Sequence, residues 1–405
     1  MDMKPVTIGL VREGRMPPDK RVPFTPLQIQ EIMQRFPHVS VVCQSSPIRC
    51  FSDQEFLSLG IPVAADLSSC DILMGIKEVP VADLIPEKTY LFFSHTIKKQ
   101  PYNKKLLQAI LSKNIRLIDY ETLKDTQGNR LVAFGRYAGI VGAYNALWTY
   151  GKRYQRFSLR RAYECFDIND LKLELRKAIL PPVKIAITGS GRVAKGVMET
   201  LDTAGVRKVS PRDFLSASFD EPVYVRLGSE DYHTRKEGGP FNRDEFHKNP
   251  ERYTSYFLAY AKVTDMLVAG AYWNPKAPVL FTRQEMQSPE FKIKIIADIT
   301  CDINGSIPST KRASSIIDPL YDYDPATDAE IPPFSGEHLL TVMSIDNLPC
   351  ELPRSASGEF GRDLIDKILK PLLADDPEGI VPRATLTENG KLTPSYSYLQ
   401  DFVSW

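Results

Sequence analysis

Lys184-Ile-Ala-Ile-Thr188 runs without a linker into Gly189-Ser-Gly191-Arg-Val-Ala194-Lys-Gly196, and residues 197–201 then carry helical spacing. A short apolar run rich in β-branched residues reads as a buried strand, so the order is strand, glycine turn, helix. Each small residue has a steric reason to be there. Gly189 permits the tight turn, Gly191 lets backbone approach a pyrophosphate, and Ala194 allows close packing of helix on sheet. The helix N-terminus offers unpaired amides and the positive end of its dipole to phosphate. A plain strand-to-helix turn would use the same pattern, but this context points to dinucleotide binding, with Gly189, Ser190, Gly191, Arg192 and Val193 as contacts. A second strand, placed at residues 207–209, leads to Ser210 and Arg212, about 20 positions beyond the glycines, where such folds read the cofactor ribose. Ser210 does not repel a 2′-phosphate and Arg212 can pair with one, whereas Asp213 suits a free ribose diol. The reading tips toward NADP over NAD and leaves both open.

The same alternation extends through the chain. Strands are expected at 6–11, 39–43, 72–75, 90–93 and 115–119, with helices at 26–36 and 104–113. A long helix follows residues 135–139 toward Tyr154, and a charged helix at 167–179 stops at Pro181-Pro182. Beyond the glycine motif come strands at 266–269 and 293–298, and after residue 339 a strand at 341–345 and a helix at 362–374. This is an α/β pattern of two Rossmann-like domains with parallel sheets. The last segment is too small to stand alone, so it is assigned to the first domain. That gives a discontinuous substrate and catalytic domain, 1–138 with 340–405, around a dinucleotide-binding domain at 139–339.

Composition removes several alternatives. With 51 Lys+Arg against 50 Asp+Glu in 405 residues, the formal charge is +1, and no general field draws the chain to nucleic acid or to an anionic membrane. The six cysteines are scattered, with no metal-ligand spacing, and neither a signal segment nor a span of about 18 apolar residues is visible. The expectation is a cytoplasmic protein without a metal.

Three ordered stretches in the first domain carry a resemblance: Arg12-Glu13 with Lys20-Arg21-Val-Pro-Phe-Thr25-Pro26, then Gly75-Ile-Lys77-Glu78-Val-Pro80, then Phe92-Phe-Ser-His95-Thr-Ile-Lys98-Lys-Gln100. They resemble the alanine dehydrogenase and transhydrogenase superfamily. Leu117-Ile-Asp-Tyr-Glu121, Gly128-Asn-Arg130 through Phe134-Gly135, and Ser344-Ile-Asp346-Asn-Leu-Pro349 narrow the likeness to lysine-forming saccharopine dehydrogenases and the lysine–ketoglutarate reductase domain. The resemblance implies reversible interconversion of saccharopine with L-lysine and 2-oxoglutarate, through an imine and a nicotinamide hydride, in a cleft between the two domains. It implies one catalytic step in a chain of this length, acting on small molecules, as monomer or homo-oligomer.

By the same resemblance Lys77 is a base at the secondary amine and His95 an acid–base group at the carbinolamine, tuned by Glu78 and Glu121. Such chemistry needs groups whose pKa values lie near the working pH. Saccharopine carries three carboxylates, for which Arg21 and Arg130 are candidate bidentate clamps, with Lys98, Gln100 and Phe134 as further contacts. Asp346 is expected beside the nicotinamide. Taken singly, these are also ordinary surface charges or core groups. Two other readings stay open: an amino-acid dehydrogenase of the alanine dehydrogenase type, and a non-catalytic NAD(P)-binding regulator. The polar stretch 232–252 reads as a solvated insertion, and Tyr272-Trp273 as core.

Overall fold

The computed structural model describes residues 4–14 and 16–404. They form two compact units, Met1–Phe134 with Pro353–Trp405, and Gly135–Leu352.

In the first unit, β1 (Val6–Leu10), β2 (Val39–Gln44), β3 (Val63–Ala64), β4 (Ile72–Met74), β5 (Thr89–Phe92) and β6 (Arg116–Asp119) pair in parallel, in the order β3-β2-β1-β4-β5-β6. That is the doubly wound order of a Rossmann sheet, whose ligands bind outside the carboxyl ends of the strands. Most residues of β1, β4, β5 and β6 are buried, as the unbroken apolar runs require of strands covered on both faces. The helix Pro26–Arg35 starts where Thr25 and Gln28 form a reciprocal capping box with Pro26 at the first position. It buries Ile29 and Ile32, while Leu27 stays exposed.

The second unit contains β7 (Lys184–Thr188), β8 (Arg207–Lys208), β9 (Val223–Leu227), the two-stranded ribbon β10 (His233–Arg235) with β11 (Tyr253–Ser255), β12 (Met266–Ala269), β13 (Ile295–Asp298), β14 (Leu320–Asp324), β15 (Ala329–Ile331) and β16 (Leu340–Met343). Its main sheet runs β15-β14-β16-β13-β12-β7-β9-β8. The chain then returns to the first unit, where β17 (Thr385–Glu388) and β18 (Lys391–Leu392) extend the first sheet beyond β6.

Several expectations are corrected. Neither sheet is purely parallel: β17 and β18 pair antiparallel at the edge of one, β14 and β15 at the edge of the other. The boundaries fall at 134/135 and 352/353 instead of 138/139 and 339/340. Residues 340–343 belong to the second unit because β16 pairs with both β13 and β14. Residues 135–138 open the helix Gly135–Tyr154, which packs on the helix Arg192–Thr203 within that unit. Between these helices glycine is obligatory, since a Cβ on Gly139 would lie 2.0 Å from the Val193 carbonyl and one on Gly196 2.0 Å from that of Arg136. The expected helix at 362–374 is two, Pro353–Lys367 and Leu369–Leu373. Residues 232–252 are built rather than merely solvated: the ribbon and the helix Arg243–Lys248 enclose Tyr232, His233, Phe241, Phe246 and Tyr253 in mutual ring contact. Tyr272 is 91% exposed, not core, and Trp273 is half-buried.

Candidate active site

Three strand ends of the first unit supply the candidate groups. Lys77 and Glu78 follow β4, His95 follows β5, and Glu121 follows β6. Because these strands are parallel neighbours in register, their carboxyl ends open on the same edge of the sheet. His95 sits at φ +52°, and its Nδ1 lies 2.6 Å from Glu78 Oε1. In the tautomer that carries its proton on Nδ1, the ring donates to Glu78 and Nε2 is left as the second ring nitrogen. The ring also stacks on Phe93, at 6.3 Å and 19°, and the His95 carbonyl accepts from Asn103 Nδ2. Lys77 is half-buried. Glu121 Oε1 lies 3.7 Å from Lys98 Nζ, and its Oε2 is buried with no hydrogen-bond partner among the described residues. A buried acceptor without a donor is costly to leave so, and it fits a substrate or water donor there.

The cations and aromatic groups cluster in the same unit. Arg130 is half-buried, with its Cζ 5.8 Å from the centre of the Phe93 ring. Arg21 is buried, spends Nε and Nη2 on Asp19, and lies 4.1 Å over Phe134, which itself stacks on Phe360 at 4.5 Å. Its fork is therefore taken up by Asp19 instead of standing open as a clamp. Lys98 is exposed, and the Gln100 side-chain oxygen accepts from the Tyr102 hydroxyl.

Two carboxylates that the sequence reading gave no role organise these loops. Glu13 accepts from the amides of Ile76 and Lys77, at 2.7 and 2.9 Å. Desolvation and the nearby Asp19 push it up to about 8, against the pull of the two amides and Arg21. Asp119, the last residue of β6, accepts from the amides of Ser94 and Glu121 and from the Ser94 hydroxyl. Burial lifts it to about 6. It thus ties the loop of His95 to that of Glu121. The visible signal for Asp119 was a carboxylate ending an apolar strand run, which buries it by position.

In the second unit, Gly189 has φ +107°, and a Cβ there would meet the Gly270 carbonyl at 3.1 Å. Gly191 caps the helix Arg192–Thr203 and has open space around its Cα, while Ser190 and Arg192 are exposed. Val193 packs its side chain where Gly270 leaves room. A backbone free to approach a ligand, beside a 12-residue helix N-terminus whose amides no side chain caps, fits a pyrophosphate. The ribose side differs from the expectation. β9, not β8, pairs with β7, and the Gly189 amide donates to the Leu227 carbonyl at the end of β9. β8 is a two-residue edge strand, so Ser210 and Arg212 lie one strand too far out. Ser210 instead caps the helix Pro211–Ser216 and donates to Asp213, and Arg212 is exposed. Ser210 still lines an open cavity of about 490 Å³ together with Lys208, Arg226, Glu230 and Asp231. Asp346 is exposed beyond β16, at the same sheet edge as Gly189 but with β13 and β12 between their strands. Asn347, at φ +66°, caps the turn Leu348–Glu351.

Among the described residues there is no cluster of three or more His, Cys, Asp or Glu arranged to hold a metal, and no helix long and apolar enough to cross a membrane. Residues 9–141 match the family model for the alanine dehydrogenase/PNT N-terminal domain. The mitochondrial alpha-aminoadipic semialdehyde synthase of Mus musculus is 32% identical over 445 residues, covering 98% of this chain and 48% of that protein. The chain thus spans about half the length of that relative. The saccharopine dehydrogenase [NAD(+), L-lysine-forming] of Neurospora crassa is 27% identical over 369 residues, with 87% of each covered. Among solved structures, an L-alanine dehydrogenase superposes with a TM-score of 0.62 at 13% identity, covering 98% of this chain and 100% of that one, a likeness of fold. The two Rossmann-like sheets and these comparisons agree: residues 9–141 carry a match to the alanine dehydrogenase/PNT N-terminal domain, and over most of its length the chain is similar to a lysine-forming saccharopine dehydrogenase and to about half of an alpha-aminoadipic semialdehyde synthase.

Proposed function

We propose that the chain reversibly interconverts saccharopine with L-lysine and 2-oxoglutarate, as a nicotinamide-linked oxidoreductase acting on a CH–NH group. The observation that carries this is the convergence of Lys77, the Glu78–His95 pair and Glu121, with its orphaned oxygen, on one edge of a parallel sheet. Joining an amine to a keto group moves protons at the carbinolamine oxygen and at the nitrogen. His95, oriented through Nδ1 by Glu78, exchanges the first through Nε2. Lys77 takes the proton of the secondary amine, and Glu121 offers its free oxygen to the substrate nitrogen or to water. Arg130 and Lys98 hold carboxylates, and Arg21, with two of its nitrogens on Asp19, shapes the wall with Phe134. A bound nicotinamide supplies hydride exchange at the carbon–nitrogen bond.

For the cofactor, the reading moves to NAD(H). The strand that abuts β7 ends at Leu227-Gly228, and a Cβ on Gly228 would lie 2.4 Å from Glu230 Oε1, so this carboxylate folds over the strand end. Desolvation opposes its ionisation, but its own backbone amide, Arg243 and Arg226 hold it below the usual range. A carboxylate there accepts from a ribose diol and repels a 2′-phosphate. The scattered cysteines, without metal-ligand spacing, suit a reducing compartment, and we place the reaction in the cytoplasm.

The deciding assay follows NADH and NADPH oxidation with lysine plus 2-oxoglutarate, and separately with ammonia plus pyruvate. Turnover with the first pair is expected. Cofactor binding without it would sink the proposal, and turnover with the second pair alone would favour an alanine dehydrogenase activity.

A further inference from the structure

Where β4 leaves the sheet, its main chain loses its partners in a definite order. The Val11 amide still donates to the Met74 carbonyl and the Phe93 amide to the Ile76 carbonyl, both at 3.0 Å. Past that point β1 has ended, and the amides of Ile76 and Lys77 are taken by a side chain: one oxygen of Glu13 on each, at 2.7 and 2.9 Å. A side-chain carboxyl that accepts from two successive amides, one through each oxygen, fixes direction as well as distance. The site is built for it. A Cβ on Gly75 would come within 3.3 Å of Glu13 Oε1 and 2.7 Å of Val11, so the carboxylate fits because residue 75 has no side chain.

The grip falls on Lys77 itself and one residue before Glu78, whose Oε1 holds His95 Nδ1 at 2.6 Å. We propose that Glu13 is the positioning residue of the Lys77–Glu78–His95 line: it sets the exit of β4, and with it the direction in which the Lys77 amine and the Glu78 carboxylate project. Glu13 exchanges no proton with substrate in this role. Asp19 and Arg21 from its own segment and the Tyr120 hydroxyl from beyond β6 face it. The inference rests on the reaction proposed above.

The test uses the full chain and steady-state kinetics with lysine, 2-oxoglutarate and NADH. Glu13→Gln keeps the size but turns an NH2 donor toward one amide. It is expected to lower kcat about 10- to 100-fold, the scale of a small misplacement of reacting groups, with both substrate KM values within about threefold and NADH affinity unchanged. Glu13→Asp, with the same pair of acceptor oxygens but one methylene shorter, should recover part of the lost kcat. The inference is overturned if kcat in Glu13→Gln stays within about twofold of wild type, if the loss appears in KM alone, or if NADH affinity falls in step with kcat in both variants. Absence of wild-type turnover with lysine and 2-oxoglutarate sinks the reaction itself, and that is seen before any variant is compared.

Discussion

His95 owes its orientation to three contacts: Glu78 on Nδ1, Phe93 against the ring, and Asn103 on its carbonyl. Replacing it by Gln, or Lys77 by Met, should therefore lower kcat by about 10²-fold or more, the usual scale for a general acid–base group. Stopped-flow or steady-state rates near wild type in both variants would remove them from the chemistry. If Glu230 reads the ribose as proposed, Glu230→Gln should lower the ratio of kcat/KM with NADH to that with NADPH, and Glu230→Arg should lower it further. An unchanged ratio in both would return the question to Ser210 and Arg212. Much of this candidate site was legible as residue identity, since Lys77, Glu78, His95 and Glu121 lie in compact motifs. What was not legible is which charges are already spent. Arg21 pairs with an Asp19 two positions away, a contact that sequence spacing permits but does not require.

Elements add constraints that no single side chain carries. The helices Gly135–Tyr154 and Arg192–Thr203 cross with backbone against backbone, so Gly196→Ala cannot be absorbed by rotating a side chain. It should destabilise the second unit by about 1–3 kcal/mol or more and weaken NADH binding, because the second helix carries the glycine motif at its start. A melting curve and NADH affinity equal to wild type would contradict this. The ribbon of β10 and β11 makes a separate prediction through His233, which is 6% exposed and packed between Tyr232 and Phe246. Burial lowers its pKa to about 4 from an unfolded value of 6.5. Below 6.5 the unfolded chain holds the extra proton, so this group removes stability as pH falls from about 6.5 to about 4, by roughly 3 kcal/mol at the end of the window. His233→Phe should flatten that slope relative to wild type in melts taken across the interval. Parallel slopes would show that the ring is solvated there. The glycine content of the long helix was visible in the sequence, but its meaning was not, because the partner backbone is supplied from about 55 residues away.

On the scale of the whole molecule, the second unit is one continuous segment, Gly135–Leu352, with its own eight-stranded sheet and apolar core. Expressed alone it should fold and bind NADH, seen as a fluorescence change, without turnover of lysine and 2-oxoglutarate. Failure to bind would mean that its sheet needs the rest of the chain. The first unit, by contrast, closes its sheet with strands from both ends of the sequence, β1–β6 and β17–β18. Local pattern alone determined the α/β class, most of the parallel strands, the glycine motif and the motifs that hold the catalytic candidates. The first three depend on apolar periodicity or steric need within a few residues, and the catalytic candidates on a resemblance of ordered motifs. The tertiary structure alone decided that β9 and not β8 lies against β7, that β16 serves the second sheet, and that Glu13 and Asp119 hold the loops of the site. Those are pairings between distant segments, set by which backbone groups and buried charges find partners, and a linear sequence does not display them.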